Sequence, residues 1–367
     1  MLLIKSFLVR LKPKSALYFA IPFSIALAWI DRSPWTFLQS ISIFSIALYL
    51  ASALALLWER RKKTGIQCRI CGYGDCTLLY KARRRNSKQI GSFACSSFDH
   101  AQYPDIYFCP ECKNGFLSSL AHSLSTSGVA EEAKTAYEEV VDHTYIENLP
   151  YRYDTYRRFT ERYHDILEGK SVLEIGSYYG AFAESARKIA GSYTGVELSR
   201  HACAFLKARH PDLNIIQGSV ESLEGNPELD KKFDVIAMFD VIEHVADPIK
   251  TLSSLRGFLK PGGKILFSTI NIESSFSMLL GPWWPWFMDM HLYYFSDRGY
   301  HTMLHRSGYF MKNHHHFPYR VSLEYFLTKV GSMIGIKNLS RIFPQTDMTM
   351  PIKLGDTVLI IGENASH

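Results

Sequence analysis

Apolar and polar positions divide this chain into four textures. Residues 15–30 and 35–58 are uncharged apolar runs, separated by the polar stretch "DRSP". The second run is long enough to cross a bilayer core; the first is short and carries Pro22. The pattern predicts a hairpin of helices at about 15–31 and 35–58, within a segment 1–64. From about 65 to 125 the chain is richer in cysteine, glycine and short β-like runs. Residues 126–160 read as a helical linker or lid. From 161 to 367 apolar runs of strand length alternate with helical stretches, as in βαβ units with a mostly parallel sheet.

The predicted strands are "SVLEIG" (171–176), "YTGVEL", "LNIIQGS", "FDVIAMFD" and "KILFSTIN". The first feeds "SYYG" and then a helix "AFAESARKIA". "LKPGG" is expected to end a helix and turn the chain. The triple histidine 314–316 fits a sixth strand, because neighbours on a strand alternate faces and cannot share one ion. "GDTVLIIGEN" is expected to be the last, antiparallel strand.

Charge sharpens the picture of the N-terminal part. The net charge of +6 is partly local: Arg60, Arg61, Lys62 and Lys63 follow the second apolar run, and Lys5, Arg10, Lys12 and Lys14 precede the first. Basic residues next to apolar segments favour membrane flanking over nucleic-acid binding, and place both ends of the hairpin on the cytoplasmic side. Trp29, Trp35 and Trp58 fall at the ends of the runs, as interfacial aromatics do. The expected location is the cytoplasmic (inner) membrane, with the catalytic domain in the cytoplasm. A pair of buried soluble helices is the plainer alternative.

Six of the seven cysteines lie between 68 and 112. Cys68 and Cys71 form one C-x2-C pair, and Cys109 and Cys112 another. Paired C-x2-C in an enzyme-like chain favours metal over disulfides. Two such turns bring four sulfurs together, as structural zinc requires, and the pattern resembles a zinc ribbon. Gly72 and Gly115 follow the two turns, where permissive backbone is wanted. Cys76 and Cys95 are read as core residues or free thiols. Four cysteines leave no open metal position, so catalysis is not assigned to this cluster.

In the C-terminal half a glycine-bearing turn leaves the first strand, and an acidic residue, Glu197, ends the second. That arrangement suits a nucleotide: the turn admits a ligand to the backbone and the carboxylate accepts from a ribose. By itself it leaves a dinucleotide dehydrogenase open. The run "VLEIGSYYG … GVEL … FDVIAMFDVIEHVADP … LKPGG", with "HLYYFS", resembles the class I S-adenosylmethionine-dependent methyltransferases. It is most similar to the subgroup of ubiquinone-biosynthesis O-methyltransferases and bacterial sugar methyltransferases, over roughly 150–320. Some sugar C-methyltransferases of this kind also carry a cysteine-rich zinc domain just before the catalytic one.

The resemblance implies an α/β, Rossmann-like fold with S-adenosylmethionine as cofactor. It implies that Glu174, Gly176, Ser177 and Gly180 form the first cofactor motif, with Tyr178 where relatives have glycine. Glu197 would hold the ribose hydroxyls, Ser219 and Val220 would meet the adenine, and Phe239 and Asp240 would border the methionine end. For a hydroxyl acceptor a base poised near neutral pH is needed, and histidine suits it. His291, beside Tyr293, is the preferred base and His244 the second candidate. Glu243 is read as a helix-start carboxylate rather than part of a divalent site. "LLGPWWPWFMDM" (279–290) is the expected lid, suited to lipid or a sugar ring.

The expected activity is methyl transfer at the membrane to a small-molecule, sugar or lipid-linked acceptor, such as a glycan or nucleotide-sugar. A quinone or isoprenoid-lipid O-methyltransferase is one alternative. A non-catalytic zinc-ribbon binding module is another.

Overall fold

The computed structural model describes residues 63–83, 103–118, 137–139, 141–223, 229, 232–327, 349–352 and 355–364. The apolar runs read as a membrane hairpin lie outside the described residues, as do Cys95 and residues 126–136 and 140 of the linker. Among the described residues no helix is long and apolar enough to cross a membrane. All of them fall within one compact unit, 62–367.

Four short strands open this unit: β1 (Lys63–Ile66), β2 (Cys76–Tyr80), β3 (Ile106–Phe108) and β4 (Gly115–Leu117). Seven strands follow in the α/β part or beside it: β5 (Ser171–Ile175), β6 (Ser192–Glu197), β7 (Asn214–Gln217), β8 (Phe233–Phe239), β9 (Leu259–Ile270), β10 (Tyr293–Tyr294) and β11 (Tyr309–His316). The chain closes with β12 (Tyr319–Ser322), β13 (Thr349–Ile352) and β14 (Thr357–Asn364).

The large sheet has the order β11-β14-β9-β8-β5-β6-β7. Strands β5 to β9 pair in parallel, and β14 runs antiparallel between β9 and β11. This is the Rossmann-like class I methyltransferase sheet expected from the sequence. Its central strands are buried on both faces: every residue of "VLEI" in β5 and "VIAMF" in β8 is buried, as parallel sheets covered by helices require. The triple histidine lies on β11, with His314 and His316 exposed and His315 half-buried.

Two local predictions shift. The expected helix 181–190 shrinks to Ala183–Ala186, followed by turns. "LKPGG" belongs to the start of β9, and the register slips between Phe233–Leu259 and Val235–Lys264. Pro261 has no N–H for the ladder, and Gly262 stands at φ +70°, so the surplus residues bulge out while the strand continues. Upstream, the helix Leu149–Arg162 belongs to the catalytic core: Tyr156 and Phe159 pack edge-on against Phe182 and Phe239.

The small sheet differs most from expectation. Its order is β1-β2-β3-β4-β10, so its last strand comes from a segment almost two hundred residues downstream. Tyr293 pairs with Phe116 and Tyr294 with Gly115. Gly115 is required here for close approach rather than for its torsion: an added Cβ would stand 2.9 Å from Ile272 and 3.3 Å from Tyr294. The left-handed position of the second cysteine turn belongs instead to Lys113, at φ +59°.

The seam is hydrogen-bonded as well as packed. Asn114 is fully buried, and its Oδ1 accepts from the Ser296 amide at 2.9 Å and from the Ser296 hydroxyl at 3.1 Å. That hydroxyl also donates to the Cys112 carbonyl and caps the helix Asp297–Arg306 by accepting from Gly299 N. Arg306 Nη1 donates to the Ile70 carbonyl at 2.7 Å. Replacing Asn114 by alanine leaves the buried Ser296 amide without its acceptor, and such a loss costs about 1–3 kcal/mol. Chemical denaturation of Asn114→Ala should show destabilisation of that size.

Candidate active site

Open α/β sheets place their ligands outside the carboxyl ends of their strands, here the ends of β5, β6 and β8. The turn after β5 is sharply constrained. Gly176 has φ +76°, and a Cβ there would stand 2.5 Å from Val241. Tyr178, where the resemblance implies glycine, takes the left-handed conformation at φ +45°, which costs a non-glycine residue about 1–2 kcal/mol. Its ring packs edge-on against Tyr145 at 4.6 Å and Tyr179 at 4.6 Å, and its hydroxyl donates to Asp142. Those contacts offset the strain, so the turn survives the substitution.

Glu197, at the end of β6, is buried. One carboxylate oxygen accepts from the Tyr178 amide at 2.7 Å and the other from the Ser199 amide at 2.7 Å. Burial pushes its pKa up to about 7, against the pull of these amides. Each oxygen keeps a lone pair for a further donor. Glu174 is placed differently. It is buried behind the turn and accepts from the Tyr193 hydroxyl, which also lies 3.2 Å from the Ser177 hydroxyl. Burial raises Glu174 to about 8. With the one Tyr193 proton committed to Glu174, the Ser177 hydroxyl is left to donate to the Tyr193 oxygen; Glu174 and Ser177 therefore brace the turn from beneath, with Gly180 (φ +78°) closing it over Leu206.

Ser219 precedes a one-turn 3-10 helix, Val220–Ser222. Its side-chain hydroxyl is buried with no hydrogen-bond partner among the described residues, and Val220 beside it is buried. At the end of β8, Phe239 lies in an aromatic cluster with Tyr156, Phe159, Phe182 and Phe317. Asp240 follows at φ +53°; it accepts from the Ser268 hydroxyl at 2.7 Å and from the Tyr319 hydroxyl.

Next comes a buried polar group formed by Glu243, His244 and His291. Their ligand atoms lie within 4.8 Å of one another, and the two imidazoles meet edge-on at 4.8 Å. Each histidine places Nδ1 against a lid carbonyl: His244 on Met290 and His291 on Trp286, both at 2.8 Å. A carbonyl only accepts, so both rings carry the proton on Nδ1 and keep the Nε2 lone pair. Burial lowers both pKa values, His291 the more strongly, with His244 adding to that shift. Two neutral bases thus face each other. Glu243 accepts from Thr269 at 3.0 Å, and burial raises its pKa well above the usual range. The donor set could hold a divalent cation or pass a proton.

Two expectations need correction. Glu243 starts no helix: it sits in a buried turn, and the next helix begins at Pro248 under an Asp247 cap. Tyr293 is not next to the base. Its hydroxyl donates to the Ala246 carbonyl at 3.0 Å and its ring stacks on Phe295, because alternation along β10 turns it away from its neighbour. Tyr294 has its ring 6.3 Å from His291, and its hydroxyl is bonded to the Met288 carbonyl. Tyr293 is therefore a brace of the strand pair.

Sequence reasoning missed Arg152. Its guanidinium stacks 3.9 Å over the Tyr145 ring, and its buried Nε has no hydrogen-bond partner among the described residues. Tyr145 contacts Tyr178 on one side, and Tyr156 reaches Phe239 on the other. The cation therefore stands between the β5 turn and the end of β8. An arginine among tyrosines in "NLPYRYDTY" was a weak signal, since charged residues on a helix usually face solvent.

The four cysteines Cys68, Cys71, Cys109 and Cys112 also converge. Their sulfurs all lie within 4.8 Å of one another, with Cys68–Cys112 at 3.6 Å and Cys71–Cys109 at 3.4 Å. Cys76 is buried nearby and is not one of the four.

Comparison with known proteins agrees with this geometry. Residues 145–312 match the family model described as a methyltransferase domain. The ubiquinone biosynthesis O-methyltransferase of Coxiella burnetii is 35% identical over 107 residues, covering 29% of this chain and 45% of that protein. The enzyme of the same name from Nitrosospira multiformis is 34% identical over 112 residues, covering 29% and 46%. The chain thus spans about half the length of the curated relatives it matches. Among solved structures, the N-methyltransferase NodS from Bradyrhizobium japonicum, in complex with S-adenosyl-L-homocysteine, is 11% identical, with a TM-score of 0.41 over 64% of this chain and 98% of that one. Residues 145–312 thus match a methyltransferase domain.

Glu197 gives a pH signature. Were the ribose hydroxyls of a nucleoside to donate to its ionised carboxylate, nucleoside affinity should be full above about pH 7 and fall as the pH drops through it. Binding near pH 7 should release protons. Glu197→Ala should weaken S-adenosylhomocysteine by about 2–4 kcal/mol and flatten the pH dependence, measured by calorimetry in two buffers.

Proposed function

We propose that this chain transfers a methyl group from S-adenosylmethionine to a hydroxyl on a lipid-linked acceptor at the membrane. The observation that carries the reading is the edge-on pair of neutral histidines at the strand-end crevice, each with Nε2 free. A hydroxyl must lose its proton as it is methylated, and a neutral buried imidazole suits that task.

The residues present fit the cofactor. Glu197 would hold the ribose hydroxyls, and Ser219 and Val220 would meet the adenine. Arg152, whose Nε has no hydrogen-bond partner among the described residues, would supply a cation for the carboxylate of the methionine end. When bound, the cofactor supplies a methyl on a positively charged sulfur. Phe239, Tyr156 and Tyr319 exclude water on that side, and Asp240 is held by Ser268 and Tyr319. His291 Nε2 takes the acceptor proton; His244 keeps its partner ring neutral and edge-on.

The lid supports a lipid-linked acceptor. Trp284 and Phe287 are buried, while Met278 and Leu279 are exposed near the end of the helix Ser275–Leu280 that leads into it. The acceptor reads as a glycan- or nucleotide-sugar-bearing lipid, or a quinone-type isoprenoid lipid; the relatives' names favour the second. The apolar runs before residue 59 would tether the enzyme. To test this, membranes are incubated with radiolabelled S-adenosylmethionine and the lipid, sugar and protein fractions counted. Label should enter a lipid fraction, and His291→Ala should slow it roughly 10²–10⁴-fold while leaving cofactor affinity near normal. Undiminished turnover in that variant would transfer the base role to His244.

The cysteine set fits structural zinc. A tetrahedron with zinc–sulfur bonds of about 2.3 Å needs sulfurs about 3.8 Å apart, close to the pairs seen here, and the Cys112 amide points at Cys109 Sγ. We read zinc as the pin of the small sheet. Metal analysis should give about one zinc per chain. Cys68→Ser should release it, lower the melting temperature and speed amide exchange at Tyr293–Phe295, since metal affinity in such modules is folding energy.

A further inference from the structure

Asp356 is a buried group that the mechanism does not use. It lies beyond the segment that matches the methyltransferase family model, just before β14. Because β14 runs antiparallel to β9, with Thr357 opposite Ile270, its first residues arrive at the carboxyl edge of the parallel strands. That is the edge where the site lies. The Asp356 carbonyl accepts from Asn271 N at 2.8 Å, which ties the residue to the end of β9. Its side chain is almost fully buried and accepts the indole N–H of Trp286 at 2.6 Å.

Trp286 is the residue whose carbonyl receives His291 Nδ1. A rigid strand therefore holds an indole, and the backbone of that same residue holds the imidazole. The intervening segment is short: Trp284 N donates to Gly281, Phe287 N to Trp284, and His291 N to Met288. Such a turn sequence has few bonds of its own to fix the direction of one carbonyl. The Trp286 side chain supplies the missing constraint from outside the loop.

We propose that Asp356 is a positioning residue for the reaction: through Trp286 it fixes the carbonyl that sets the His291 tautomer and presents Nε2 to the acceptor. The proposal rests on His291 as the base, but its physical content, the tautomer and its cause, stands apart from that role. Burial raises the Asp356 pKa, with the indole hydrogen bond opposing the shift. Asparagine at this position would keep an oxygen acceptor for the indole. Alanine would not.

The test uses the full chain in detergent, labelled with ¹⁵N-histidine and saturated with S-adenosylhomocysteine. The His291 signal is assigned by its loss in His291→Gln. The wild type should show a single Nδ1–H tautomer. Asp356→Ala and Trp286→Phe should each give a mixture of tautomers and slow radiolabel transfer to membrane acceptor on the order of tenfold or more, as misplaced catalytic groups do. The double variant should be no slower than either single one, because both break one chain of contacts. Asp356→Asn should restore the single tautomer. Unchanged tautomer in both Asp356→Ala and Trp286→Phe would overturn the proposal, and so would additive losses. If Asp356→Ala fails to fold, Trp286→Phe and Asp356→Asn decide: a single tautomer in the first, or a mixture in the second, overturns it. Should His291→Ala retain turnover while these tautomer changes appear, the base assignment fails and the positioning contact stands.

Discussion

The pairing of Tyr293–Tyr294 with Gly115–Phe116 governs the acceptor side of the molecule. It joins a strand of two residues to a sheet whose other members lie within residues 63–117. A two-residue strand has little stability alone, so its place depends on what flanks it. Asn114 and the Cys112 carbonyl bind Ser296 on one side, and the Glu243 carbonyl accepts from Leu292 N at 2.8 Å on the other. The cysteine turns therefore do more than stabilise a small domain beside the enzyme. They form one wall of the segment that leads out of His291.

This arrangement explains why much of the chain was legible and part was not. The parallel strands announced themselves because "SVLEI" and "FDVIAMF" are apolar runs of strand length, buried on both faces. Glu197 was legible for a similar reason: a carboxylate at the end of a buried strand has few structural uses. The joint between the two sheets was not. Tyr293–Tyr294 is too short for any periodicity, and Gly115 looked like a turn glycine when its use is to let Ile272 and Tyr294 approach. Arg152 and Asp356 escaped for another reason. Their significance comes from burial created by distant segments, which local sequence does not encode.

Tyr178 and Tyr293 show the same limit from two directions. Tyr178 stands where the resemblance implied glycine, yet the backbone takes a left-handed turn, because aromatic packing from Tyr145 and Tyr179 compensates. A motif can thus be lost in letters and kept in shape. Tyr293 adjoins the base candidate in near-sequence, yet alternation along β10 sends its hydroxyl to Ala246. Proximity in sequence carried no information about proximity in the site.

The electrostatics of the histidine pair follow from the same construction. Two imidazoles 4.8 Å apart in a buried pocket cannot both be charged without strong repulsion, and burial already disfavours either charge. Their Nδ1 protons are committed to lid carbonyls, so each ring is left with one basic nitrogen. A proton taken from an acceptor by His291 would be destabilised there unless it moved on. His244 lies within 4.8 Å to receive it, whereas Glu243, its pKa raised by burial and by Asp240, favours its protonated form. The pocket is therefore built to accept a proton briefly rather than to store one. That suits a step in which deprotonation accompanies methyl transfer, and it requires the lid carbonyls to stay where the small sheet and β14 hold them.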